Sequence, residues 1–213
     1  STEQATTTIL IDGIADSFSN TSGIDTTNSS NLVTSTAGQV TGINLATSTG
    51  GTITTASGDW IHTFTSSGTL TPAGSGNMQS LVIGGGGGGG GVSTGDQAGG
   101  GGGGAGGMRT GSLSVTAQAY SIIVGAGGAG VSAASGNRGA TSTFATIDAS
   151  GGGYGGRVAP GSSGGSGGAG GDNATVGSGN IPNTSPSQGN DSGVSVQSPY
   201  SASGGGGGGA GGV

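Results

Sequence analysis

Hydrophobic and polar residues alternate in only a few short stretches of the chain. In the clearest of them, 59–65, aromatic or histidine side chains occupy every second position. Such alternation predicts a β-strand, because successive side chains of a strand point to opposite faces. The other predicted strands are 69–71, 78–83, 112–116, 120–124 and 143–147, with 112–116 and 120–124 forming a hairpin around a three-residue loop.

The first 58 residues have a different composition, rich in Thr, Ser and Asn. The apolar run 9–14 predicts either a strand and turn or a short helix through 16–18, and 31–35 and 39–43 predict short strands. We therefore predict two domains: a Ser/Thr-rich attachment segment with short strands at 1–58, and a glycine-rich domain at 59–213.

The apolar content is too low for an ordinary hydrophobic core. Ile, Leu, Val and Phe together account for only 33 of the 213 residues, and the chain has no Cys to form disulfides. Disorder also requires a high net charge, whereas only 6 % of the residues are charged and the net charge is −6. Another interaction must therefore stabilise the fold.

Glycine is concentrated in blocks. Of the 58 glycines, 10 lie in residues 1–83 and 48 in residues 84–213. Small residues fill the blocks and varied residues separate them, which is typical of rods joined by loops. The blocks are 84–91, 99–107, 125–130, 151–156, 164–171 and 204–212, of which 99–107 and 204–212 are identical in sequence.

Two interpretations of these blocks compete. Glycine tracts usually form flexible linkers. Alternatively, the blocks are polyglycine-II helices of the polyproline-II type, which have no internal hydrogen bonds and pair with neighbouring helices that only glycine allows to approach closely. Because the blocks are interleaved with predicted strands, we favour packing. The predicted fold class is mainly β and irregular: small β-layers plus packed polyglycine-II helices joined by loops.

The sequence offers little catalytic or metal-binding chemistry. A phosphate-binding loop needs Lys, and the chain has none; His62 is the sole histidine, which excludes a structural zinc site. Residues 167–174 match the skeleton of a calcium-binding nonapeptide once, as expected by chance in a glycine-rich chain. Three Arg against nine carboxylates disfavour nucleic acid, and no apolar run is long enough to insert in a membrane. We therefore predict no enzyme activity, no cofactor and no bound metal.

Three groups of segments carry a resemblance to a known family: 59–71, 81–83 with the glycine block that follows, and 120–128 with 139–144. They resemble the glycine-rich domain of bacteriophage tail-fibre proteins, and the resemblance covers about residues 55–213. The alternation of blocks and loops is also similar to tail-tip adhesins of T-even-like phages. This resemblance implies a polyglycine-II sandwich whose tip loops bind a host-surface receptor.

The resemblance implies a virion protein, assembled in the host cytoplasm, that acts as a tail-fibre or tail-tip adhesin. Expected partners are other virion proteins bound through residues 1–58, a host-surface glycan or protein, and further copies in a homo-oligomer such as a trimer. The alternative is a capsid decoration or fibre protein whose loops are connectors that contact only other virion subunits. The candidate receptor-contact residues are Asp172, Asn173, Asn180, Asn183, Asn190, Asp191, Tyr200, Tyr154 and Arg157.

Overall fold

The computed structural model describes residues 5–11, 14–20, 48–56, 59–92, 99–172, 174–198 and 201–211. In these ranges the chain forms short strands and extended segments and contains no α-, 3₁₀- or π-helix. This mainly β and irregular architecture confirms the predicted fold class. The chain divides into two compact units, Ser1–Met78 with Leu113–Tyr120, and Gln79–Ser112 with Ser121–Val213. The domain boundary after residue 58 stays a prediction.

The strands are short and pair in small antiparallel sheets. Within the described residues, β1 pairs with β2, β3 with β4, β6 with β7 and β11 with β12, while β10, β9 and β8 lie side by side. The strands are β1 (Ala5–Ile11), β2 (Ile14–Asn20), β3 (Thr52–Ala56), β4 (Asp59–Thr63), β5 (Gly68–Leu70), β6 (Gly76–Ile83), β7 (Met108–Val115), β8 (Tyr120–Ile123), β9 (Ser142–Phe144), β10 (Ile147–Ala149), β11 (Val196–Ser198) and β12 (Ser201–Ser203).

The first unit has a small apolar centre. Leu70 and Val115 are each only 2 % exposed, and Thr49 and Thr71 exchange two backbone hydrogen bonds of 2.9 Å. Where the sequence left a helix or a strand open near residues 16–18, the structure has strand β2. The strands predicted at 31–35 and 39–43 lie outside the described residues.

The predicted hairpin of 112–116 and 120–124 is wrong. Both segments are strands, but β7 pairs with β6 and β8 pairs with β9. The reason is that β6 leads into one glycine block and β7 follows another, and these two blocks bond to each other, beginning with the Gly84 N–H and the Gly107 carbonyl at 2.9 Å.

Tyr120, at the start of β8, has a lowered pKa. Hydrogen bonds from Thr116, through its side chain and its backbone, lower the pKa of Tyr120 from 10.0.

Two short hairpins also differ from what the sequence predicts. The strand predicted at 143–147 is a hairpin, because Ala145 adopts a left-handed φ of +52° and turns β9 into β10. The hairpin of β11 and β12 was not predicted at all. Three-residue strands give too short an alternation to be recognised in a sequence.

Extended segments, here called rods, fill most of the second unit. Rods 1 to 10 are, in chain order, residues 84–92, 99–107, 125–130, 134–140, 150–156, 159–163, 164–171, 174–180, 189–193 and 204–211.

Rod 1 shows the rule by which the rods bond. Its residues 84, 87 and 90 donate to rod 2 carbonyls at 107, 104 and 101, over 2.8–2.9 Å. Its residues 85, 88 and 91 donate to rod 4 carbonyls at 140, 137 and 134, over the same distances. A period of three, with every bond leaving the rod, is that of a polyglycine-II helix.

The same period recurs in the other rods. Rod 2 donates from residues 101, 104 and 107 to rod 5, and from 102 and 105 to rod 10. Rod 5 donates from 152 and 155 to rod 1, and from 153 and 156 to rod 7. The glycine blocks are therefore packed helices and not flexible linkers.

The bonding partners place the rods in three rows. The first row holds rods 3, 1, 2 and 10, the second holds rods 4, 5, 7 and 9, and the third holds rods 6 and 8. Rod 7 is the centre of this array, and all of residues 164–171 are buried. The array thus has a core made of backbone, whose buried side chains in rod 7 are only Ser166 and Ala169.

Steric clearance explains why glycine is required. A Cβ added to Gly87 would lie closer than 3.0 Å to the Gly153 backbone, and one added to Gly88 would meet the Ala129 backbone as closely. At Gly86 and Gly89 the nearest atoms would be 3.6 and 3.5 Å away. Only every third position of rod 1 therefore has room for a side chain.

This difference gives a matched test. We expect Gly88→Ala to destabilise the protein by about 1–3 kcal/mol, because backbone atoms cannot move aside for the methyl group. Gly89→Ala should be neutral or should stabilise by up to about 1 kcal/mol, since alanine restricts the unfolded chain. Urea unfolding of both variants in dilute solution, where the chain is a single copy, measures the difference, and equal stabilities would contradict the packing.

Candidate functional site

The connections between rods lie at two opposite ends of the array, as the directions of the rods show. Rods 1, 3 and 5 start after strands β6, β8 and β10, and rod 7 runs parallel to rod 5. We call the end next to these strands basal and the opposite end apical. In the described residues, the apical connections comprise 131–133, 157–158, 172 with 174, and 194–198 with 201–203, and the basal connection between rods 8 and 9 is 181–188.

Hydrogen bonds join neighbouring apical connections. The backbone N–H of Arg157 donates to Ser135 Oγ over 3.3 Å, and its Nη1 donates to the Ala133 carbonyl over 3.2 Å. On the other side, Ser195 Oγ donates to the Ala174 carbonyl over 3.1 Å. Residues far apart in the sequence therefore form one apical surface on the ends of bonded rods.

The apical surface is aliphatic and sparsely charged in its described part. Val158, Val194 and Val196 are 56 %, 74 % and 64 % exposed, and Val92 at the end of rod 1 is 45 % exposed. Asp172 is half-buried, has a left-handed φ of +48°, and its buried Oδ1 has no hydrogen-bond partner. The exposed valines give this end of the array aliphatic area that a partner could bury.

The predicted contact residues do not lie together. Arg157 and Asp172 are apical, and Tyr154 is a half-buried residue of rod 5 whose carbonyl accepts a bond from the Ser162 N–H. Asn173 and Tyr200 fall outside the described residues. Most of the predicted contact residues come from one stretch of the sequence, which the structure divides into rods 8 and 9 with a basal connection between them.

The other predicted contact residues lie towards the basal end and make internal hydrogen bonds. Asn180, with a left-handed φ of +52°, accepts from the Thr184 N–H over 3.0 Å and donates to Asn183 Oδ1 over 2.7 Å. Asn190 Nδ2 donates to the Gly211 carbonyl over 3.0 Å, and Asp191 Oδ1 accepts from the Gly179 N–H over 2.7 Å. These side chains fasten the rods to the basal connection.

Sequence reasoning missed Gln188, which is 0 % exposed at the basal end. Its Oε1 accepts from the Ser150 N–H and its Nε2 donates to the Pro182 carbonyl, both over 2.9 Å. Its carbonyl accepts from the Met108 N–H over 2.7 Å. Gln188 thus satisfies backbone groups where rods meet strands. A glutamine in a Ser/Pro-rich stretch gave no signal of this role.

Other chemistry is sparse in the described residues. No three His, Cys, Asp or Glu side chains lie close enough there to share a metal ion. His62 belongs to the first unit, where its Nδ1 lies 2.8 Å from the Gly50 carbonyl. A search of the same ranges for a helix able to cross a membrane finds none.

The architecture of bonded glycine rods defines a glycine-rich domain, and a comparison with known protein families agrees with this. A family model described as a glycine-rich domain matches residues 63–213, a range that includes every rod. The chain therefore belongs to this glycine-rich domain family. No curated protein and no solved structure matches the chain.

The role of Gln188 can be tested by truncation. We expect Gln188→Ala to lower the free energy of unfolding by about 2–3 kcal/mol, because it leaves a cavity and unpaired buried backbone groups. Gln79→Ala, at an exposed position of β6, is the control and should change stability by less than about 0.5 kcal/mol. Urea unfolding is the measurement; a tolerated Gln188→Ala would refute this role.

Proposed function

We propose that this protein is a structural component of a bacteriophage virion, a tail-fibre or tail-tip adhesin that binds a host-surface receptor through its apical surface. The observation that carries the proposal is the gathering of separate apical connections on the ends of hydrogen-bonded rods. Loops held on a rigid scaffold are where proteins commonly place binding residues.

The array supports this role through preorganisation. Binding costs free energy when it orders a loop, and a loop fixed at both ends has less freedom to lose. Each apical connection is anchored on both sides by rods, and bonds such as the one between Arg157 and Ala133 join two connections. A receptor would therefore meet a surface that is already formed.

The composition of the apical surface indicates the kind of contact. Exposed valines such as Val194 and Val196 offer aliphatic area that is favourable to bury. Arg157 and Asp172 add hydrogen-bonding groups beside them. Both a host-surface protein and a glycan with an apolar sugar face match this chemistry.

The remaining parts of the proposal come from the sequence. Residues 1–58 attach the protein to other virion proteins, and the chain acts in the assembled particle as a homo-oligomer. We propose binding and not catalysis, because the chain has one histidine and no cysteine or lysine. Its net charge of −6 disfavours nucleic acid as the partner.

A non-adhesive capsid decoration or fibre protein is the alternative. It is favoured by Asn180, Asn190 and Asp191, since internal hydrogen bonds occupy these polar side chains at the basal end. In that case the apical surface contacts only other virion subunits.

Cell binding by the purified chain tests the adhesin proposal. We expect the labelled wild-type chain to bind some members of a panel of bacterial isolates. The double variant Val158→Asp/Val196→Asp should bind at least about tenfold more weakly, because it places charges in the apolar contact. Flow cytometry measures the binding.

The control is Ile181→Asp, which changes a basal side chain that is 46 % exposed. It should bind like the wild type, and thermal unfolding should show that all the variants are folded. If the wild type binds no isolate, or the apical variant binds as well as the control, the adhesin proposal fails and the alternative is favoured.

A further inference from the structure

One side of the array consists of backbone with few side chains. It is the outer side of the first row, and we call it the open face. Its central positions recur every third residue in rods 1, 3 and 10: Gly86, Gly89, Gly127, Gly130, Gly206 and Gly209.

Clearance distinguishes these positions from the rest of their rods. A Cβ added to Gly206 or Gly209 would have no atom within 4 Å, and one added to Gly127 would be 3.7 Å from its nearest neighbour. At the intervening Gly207 and Gly128 an added Cβ would collide with the backbone of another rod. Among the described residues, no further rod lies on this side of rods 1, 3 and 10, and this side is the open face.

Backbone hydrogen bonding is incomplete on the same residues. The N–H groups of Gly86 and Gly89 donate no hydrogen bond within the described chain, whereas those of residues 84, 85, 87, 88, 90 and 91 all do. Among the described residues, the N–H groups of Gly127, Gly130, Gly206 and Gly209 likewise donate no bond, and the carbonyls of Gly89, Gly127 and Gly130 accept none. The open face thus presents both donors and acceptors.

The open face carries no charge. Rods 1, 2, 3 and 10 contain no ionisable side chain. Their exposed side chains are apolar and mostly small, such as Ala105, Ala126 and Ala129. Val92 is the next residue after Gly86 and Gly89 at the three-residue spacing of rod 1, and it is also exposed. An uncharged face without bulky side chains gives little attraction to an anionic or cationic partner, but another glycine-rich face can approach it closely.

We propose that the open face binds the open face of a second copy of this chain. The contact would continue the packing of the array across the interface, just as the first row already packs on the second. Rod 1 bonds to an antiparallel rod 2 and to a parallel rod 5, so either direction of the partner's rods is compatible. The partner must itself lack side chains on the contacting face, and this chain has such a face.

A two-fold pairing of identical faces closes on itself, so each copy uses its open face once. It leaves the apical connections outside the contact, and it does not depend on the adhesin proposal. Backbone donors and acceptors that water satisfies in the single chain would pair across the interface.

Sedimentation velocity of the full chain over a range of concentrations tests the proposal. We expect the wild-type mass to rise towards twice the chain mass of 19.2 kDa. Gly127→Glu and Gly206→Glu should each keep the mass at 19.2 kDa, because the single chain accommodates a side chain there and the paired faces do not.

The control is Thr175→Glu, which adds the same charge to an exposed position of rod 8 in the third row. It should associate like the wild type. A wild-type chain that stays at 19.2 kDa at every concentration overturns the proposal, as does an oligomer that Gly127→Glu and Gly206→Glu leave intact. Thermal unfolding of each variant verifies that loss of association is not loss of the fold.

Discussion

Close approach of one backbone to another, possible only where no Cβ intervenes, is the constraint on which the second unit depends. Ordering glycine costs more conformational entropy than ordering any other residue, and one hydrogen bond returns only about 0.5–1.5 kcal/mol. A single rod would therefore not be stable alone. Rod 7 is stabilised because rods surround it and bury all of residues 164–171. The array replaces a hydrophobic core by cooperative backbone pairing, which explains how so few apolar residues suffice.

This construction separates stability from recognition. Within the array the neighbouring backbone fixes many positions as glycine, and side chains are found mainly in the connections and in the outer rods 4, 6, 8 and 9. The basal end uses its side chains internally, as Gln188 and Asn180 show. The apical end and the open face remain as surfaces on which partners can bind. Both proposals therefore follow from one architecture, but they concern different faces of it.

The sequence predicted the fold class because closely packed backbones require glycine, and the rods of the array therefore appear in the sequence as glycine blocks. It predicted the wrong partner for β7, since β6 joins β7 through the bonding of rods 1 and 2, which no local pattern reveals. It identified Arg157 and Asp172 in apical connections. It also named Asn180 and Asn190 as contact residues, and these lie towards the basal end, because sequence does not show which rod end carries a given loop.

Amide hydrogen exchange of the glycines, followed by NMR in dilute solution, tests the central claim that the glycine blocks are hydrogen-bonded rods. The account predicts that the N–H groups of Gly87 and Gly88, which donate to Gly104 and Asn137, exchange on the order of a thousandfold more slowly than those of an unstructured peptide. Gly86 and Gly89, whose N–H groups are unpaired, should exchange faster than these neighbours. Uniform exchange of all four at the unstructured rate would contradict the account.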